Sequence, residues 1–156
     1  MRKLPGFEFE NWAVLQLGEV LKHHGRRIRA QVNRAKVGDF GLDGKIYIVT
    51  NASIKREAAR GKGKLFAEQE DYVPIQVKNT EQVGRGDIDN FAHALRRDER
   101  RVGFFIGWEF SGGAKGATAE IERLAKLDEP QVIIPVPVQQ LILETFDTEL
   151  LALMGR

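Results

Sequence analysis

The chain has no cysteine among its 156 residues. That absence removes a disulfide framework, a thiolate zinc site and a thiol nucleophile together, and it fits a reducing compartment such as the cytoplasm. Long apolar runs are missing as well. Met1-Arg2-Lys3 is basic, yet no apolar h-region follows it, and no stretch approaches the roughly 20 residues that a membrane span needs. The expectation is a soluble cytoplasmic protein with no membrane partner. Internal repeats and linker-like segments are also lacking. Residues 1–156 therefore read as a single domain, large enough to bury a core without staples.

Acidic residues are absent from one part of the chain. Between Lys22 and Lys36 there are six Lys or Arg residues and no Asp or Glu. Residues 55–64 carry Lys55, Arg56, Arg60, Lys62 and Lys64 against Glu57 alone. The last third is acidic instead, with Glu120, Glu122, Asp128, Glu129, Glu144, Asp147 and Glu149. The net charge of +2 thus hides a basic front and an acidic back. A basic front suits a phosphate backbone, the alternative being ordinary solvated charge.

What is present reads as helices and strands in alternation. Phe9, Trp12, Ala13, Leu17, Val20 and Leu21 recur at helical spacing, which predicts a helix over 7–23 ended by Gly25. Residues 27–36 alternate, with Ile28, Ala30 and Val32 on one side, and read as a strand. A glycine turn over 38–44 leads to a second strand at 45–50. Residues 51–71 are polar, basic and Gly-containing, a surface loop or hairpin insertion. A third strand follows at 72–79, with Pro74 suggesting its start or an edge position. Asp87 is placed to cap a helix bearing Ile88, Phe91, Ala92 and Leu95 on one face. A buried strand over 102–110, a helix carrying Ala114 to Ala125, a strand at 131–136 and a helix at 138–146 complete the order. The result is αβββαβ followed by αβα, one α/β domain with a mixed central sheet flanked by helices.

Four polar groups stand where this scheme expects a core. At 100° per residue, Glu10 falls between Leu17 and Leu21 on the apolar side of the first helix. Glu8 falls on the other side, near Leu15. Asp43 opens the Ile46-Tyr47-Ile48 strand between Gly41 and Gly44, which permit close backbone approach. Gln76 and Lys78, two apart, share one sheet face, while Ile75 and Val77 point to the other. Pairing the second and third strands would bring Asp43 beside Gln76 and Lys78. Buried polar groups are costly without a purpose.

Divalent-metal hydrolysis of a phosphodiester would supply one. Mg²⁺, or Mn²⁺ in its place, is a hard cation that takes oxygen ligands, often one or two carboxylates plus waters and phosphate oxygens. Asp43 is the natural first ligand and the Gln76 amide oxygen a second; Glu10 binds the metal directly or holds one of its waters. Lys78 supplies a charge to orient the attacking water or offset charge in the transition state. The structural alternative assigns Asp43 to a turn cap, Lys78 to snorkelling and Glu10 to a buried pair with Lys78. Asp39 competes with Asp43 for the metal role, but Asp43 abuts the strand.

Gly6-x-Glu8-Phe9-Glu10, Gly41-Leu42-Asp43-Gly44, Gln76-Val77-Lys78 and Phe110-Ser111 before an Ala-rich helix occur in this order over roughly 6–143. Together they resemble the PD-(D/E)XK nuclease superfamily, and within it the Mrr-like restriction endonuclease group, in which glutamine often replaces the second acid. The resemblance implies a restriction-endonuclease-like core and a Mg²⁺-dependent DNA endonuclease with Glu10, Asp43, Gln76 and Lys78 as its site. It also implies DNA as partner and a homodimer, or association with another subunit, so that both strands are cut. A structure-selective nuclease of the Holliday-junction-resolvase kind and a non-catalytic DNA-binding module with the same fold are the alternatives. The 33 positions from Asp43 to Gln76 suggest an inserted basic hairpin over 51–71, with Lys55, Arg56, Arg60, Lys62 and Lys64 on DNA.

Other motifs carry less. His23 and His24 end a helix, where an imidazolium suits the dipole, and His93 reads as solvated. In 112–118 the lysine precedes the last glycine instead of following it, which excludes a Walker site. Ser111 and Lys115 are left as a helix cap or a DNA phosphate contact. Arg85 and the pairs Arg96-Arg97 and Arg100-Arg101 read as surface charge, and Trp12 and Trp108 as core.

Overall fold

The computed structural model describes residues 6–23, 27–33, 42–48 and 72–143. Among these the order is α1 (Gly6–His23), β1 (Ile28–Val32), β2 (Gly44–Ile48), β3 (Tyr72–Lys78), α2 (Arg85–Arg97), β4 (Val102–Gly107), α3 (Ala117–Ala125), β5 (Val132–Pro137) and α4 (Val138–Leu143). The expected succession αβββαβαβα is therefore present. Asp39, His24, the basic segment 51–71 and the last helix beyond 143 lie outside the described residues.

The five strands form one mixed sheet in sequence order. β1, β2 and β3 are antiparallel neighbours, while β3, β4 and β5 run parallel and are joined through α2 and α3. Each parallel connection needs a crossover, and the helices supply it. α1 covers one face, burying Phe9, Ala13, Leu17 and Leu21 against Ile75, Val77, Phe104 and Ile106. α2 and α3 cover the other, burying Ile88, Phe91, Leu95 and Leu124 against Phe105 and Ile133. At ~1.5–3 kcal/mol for each large apolar side chain removed from water, these two cores fix the layers.

Gly44 shows how closely α1 approaches. A Cβ there would meet the Val14 methyls at 2.8 and 2.9 Å and the Gln31 carbonyl at 2.8 Å. The missing side chain points toward α1, so its neighbour Asp43 points to the opposite face.

The structure corrects several sequence expectations. Pro74 lies at neither an edge nor the start; it is the buried third residue of the central strand. It is tolerated because pairing to β4 begins only at Ile75, so the absent N–H interrupts no rung of that ladder. Asp87 is not the N-cap. α2 begins after Gly84, and Asp87 in its first turn accepts the Gly84 N–H at 2.9 Å, closing the turn from within. The strand expected to reach residue 110 stops at Gly107, with Phe110 bridging to Val83 beyond it. The helix expected from Ala114 begins at Ala117, because 111–116 form a tight turn. Gly113 has φ +84°, and a Cβ on Gly116 would lie 2.3 Å from the Gly112 carbonyl.

Candidate active site

Asp43 precedes β2 and is held by its own backbone on both sides. Its N–H donates to the Ile75 carbonyl at 2.9 Å, and its carbonyl accepts the Asn33 N–H at 2.9 Å. The buried Asn33 also donates from its side chain to the Leu42 carbonyl at 3.0 Å. Antiparallel register places Gly44 opposite Ile75, so Asp43 arrives level with Gln76 and Val77. Asp43 is 2% exposed. Its Oδ2 accepts the Val77 N–H at 2.7 Å and the Gln76 side-chain Nε2–H at 2.9 Å. Charge-assisted bonds of this kind are what make a buried carboxylate tolerable.

Gln76 and Lys78 share the face opposite α1. Gln76 stands across from Phe105, and both it and Lys78 line a cleft of about 250 Å³ beneath α2, with Asp87, Asn90 and Phe91. Gln76 thus bonds Asp43 on one side and borders the cleft on the other. Lys78 does not reach Glu10, as the structural alternative had it. Its ammonium pairs with the Asp87 carboxylate, which also receives the Gly84 N–H. From the sequence, Asp87 reads only as a capping residue. The clue to its second role was a carboxylate nine positions after Lys78 at the start of the next helix, readable only once β3 and α2 are known to pack together.

Glu10 is half-buried on α1, which lies across the sheet from Gln76 and Lys78. Among the described residues no group of three or more His, Cys, Asp or Glu side chains could hold a metal ion. Glu10 therefore completes no three-acid set with Asp43 and Asp87. The oxygen donors that the fold does gather are the Asp43 carboxylate and the Gln76 amide. The amide presents its nitrogen to Asp43; rotated, it would offer its oxygen, a hard donor suited to Mg²⁺. The donor chemistry fits a divalent cation held by these two residues.

Ser111 acts as a cap. Its hydroxyl accepts the Ala117 N–H at 2.8 Å and its carbonyl accepts the Thr118 N–H at 3.1 Å. Lys115 is exposed in the same turn. Trp108 is buried and donates to Asn79 at 2.9 Å, whereas Trp12 is only half-buried at the core margin. His93 is exposed, as expected.

A second polar cluster ties α2 to α3. Buried Glu120 accepts two bonds from Arg123, at 2.8 and 2.6 Å, with Arg85 at 3.5 Å. The Arg123 guanidinium holds the Glu120 carboxyl down at about 2, against the opposing effect of its burial. Asp89 is pushed the other way, chiefly by its hydrogen bond to Glu120. Here two acids divide one environment between them.

No known family model, curated protein or solved structure matches the chain.

Proposed function

We propose that this protein is a divalent-metal-dependent DNA endonuclease of the Mrr-like restriction type. The reading rests on one observation: a buried aspartate at the head of β2 meets Gln76 at 2.9 Å, with Lys78 two positions on at the same cleft. When bound, Mg²⁺ or Mn²⁺ would polarise the phosphate and lower the pKa of a coordinated water. Asp43 and Gln76 would hold it. Asp43 is oriented by the Val77 N–H, so its geometry precedes any ligand. Lys78 places a positive charge beside the scissile phosphate, and Asp87 holds that ammonium in place. Cutting both strands calls for a homodimer or an associated subunit, and a restriction system accounts for such an activity.

One observation favours a second reading. Lys78 is already neutralised by Asp87, and the Gln76 amide is committed to Asp43, which would suit a non-catalytic DNA-binding module. Supercoiled plasmid incubated with Mg²⁺, Mn²⁺ or EDTA separates the two. The endonuclease nicks or linearises the plasmid only with metal, and the Asp43→Ala and Lys78→Ala proteins do not. Metal-independent retention without cutting would favour the module, and preference for four-way junctions would shift the substrate to branched DNA.

A further inference from the structure

The register of the antiparallel strands lines up a row of cations and rings on the face opposite α1. Arg29 stands opposite Tyr47, and Tyr47 opposite Tyr72; Gln31 stands opposite Lys45 in the next row. Cross-strand partners share a face, so all five belong to the surface that also carries Gln76 and Lys78. The Arg29 guanidinium carbon lies 4.4 Å from the Tyr47 ring centre, and the Tyr47 and Tyr72 rings are 5.6 Å apart and tilted by 52°. Lys45 Nζ lies 4.5 Å over Tyr72, and the Arg100 guanidinium carbon 3.8 Å over the same ring.

α2 and α3 cover β4 and β5 on this face, and α1 packs on the other side of β1 and β2. Arg29 and Gln31 are exposed. Asp98, an acid beside this row, is engaged by the Tyr72 hydroxyl at 2.6 Å. Stacking on an aromatic ring holds a long basic side chain in place before any ligand arrives, which lowers the ordering cost of binding. Strand spacing of ~4.8 Å spreads the row over about 10 Å from β1 to β3. Charges repeating every ~3.4 Å along a DNA strand match such a row better than a single small anion would.

We infer that the Arg29–Lys45–Arg100 stripe, braced by Tyr47 and Tyr72, is a docking surface for the DNA phosphate backbone. The direction of the bound strand rests on the endonuclease reading. Lys45 lies two residues beyond Asp43 and Tyr72 four before Gln76, so the stripe leads to the cleft within about 13 Å, some four nucleotide steps.

The test is fluorescence-anisotropy titration of a labelled duplex in EDTA over a salt series, with the full chain. Arg29→Ala/Lys45→Ala should lower the slope of log K against log salt by about two, for any sequence. Lys22→Ala, which removes an exposed cation on α1, should leave it unchanged. Unaltered circular dichroism and melting temperature would show that the double variant is folded; if it is not, Arg29→Gln and Lys45→Gln are measured singly and should each lower the slope by about one. An unchanged slope, an equal loss in Lys22→Ala, or displacement of DNA by poly-glutamate at equal charge would overturn the inference. Normal slopes with loss on the stripe but no metal-dependent cutting would leave this surface standing and remove the endonuclease. Cutting with an indifferent stripe would do the reverse.

Discussion

Lys78 and Asp87 form an ion pair that joins the end of the central strand to the first turn of α2. At the other end of the same two elements, Tyr72 donates to Asp98. α2 is therefore fastened over β3 at both ends, and the cleft beside Gln76 lies between the fastenings. The pair is partly exposed, with Lys78 at 37% and Asp87 at 21%, so its own contribution to stability is modest, roughly 0–1 kcal/mol. Its larger effect is to fix where an ammonium stands.

Asp87→Asn should separate these roles. Asn can still accept the Gly84 N–H, so the melting temperature should move little, by the equivalent of at most about 1 kcal/mol. Metal-dependent cutting should fall about tenfold or more, because a mobile Lys78 loses its orientation. Duplex affinity should stay within about threefold. Plasmid-nicking time courses beside anisotropy titrations measure both, and undiminished cutting would deny Asp87 a positioning role.

Asp43 supports the fold and, on the endonuclease reading, the chemistry as well. Asp43→Ala leaves the Val77 N–H and the Gln76 amide without their acceptor in a buried setting, at about 1–3 kcal/mol for each unsatisfied group. Asp43→Asn keeps an acceptor oxygen and should be the more stable in urea. Neither should cut. An Asn protein that is stable and inactive would assign the loss to the missing charge.

Tyr72 makes stability fall in strong base. Burial first, and its bond to Asp98 second, push its phenol up to about 12 from 10. A raised folded value means the contribution is complete below pH 10 and disappears as pH rises through 12. Urea midpoints should drop over that window, and Tyr72→Phe should remove this part of the drop. Absorbance at the tyrosinate band should lose its late-titrating component in the same variant.

Glu120 contributes to the acid limb. Held at about 2 by Arg123, it contributes above pH 4.5 and the contribution fades as pH falls toward 2. Asp89, raised by Glu120, opposes this in part, since its protonated form is favoured in the folded state. Denaturation midpoints of Glu120→Gln should therefore decline less steeply between pH 4.5 and 2 than those of the parent. Parallel acid curves would place the pair outside the stability balance.

Much of the architecture was legible because it is local. The apolar stripe of α1, the alternation of Ile28, Ala30 and Val32, and the buried face of α2 follow directly from periods of 3.6 and 2. Pro74 misled because its tolerance depends on which rung of β4 it faces, a non-local fact. Ala114 misled because helix propensity yielded to a glycine turn so tight that a Cβ on Gly116 would lie 2.3 Å from the Gly112 carbonyl oxygen and 2.6 Å from that of Ser111.

That Gln76 and Lys78 share a face follows from strand alternation alone, since alternate residues of a strand cannot do otherwise. What they meet depends on how the elements pack. Asp43 reaches Gln76 through the β2–β3 register, 33 positions away, and Lys78 finds Asp87 because α2 folds back over β3. Periodicity is written into neighbouring residues, whereas register and helix placement are chosen by the surfaces that must close together.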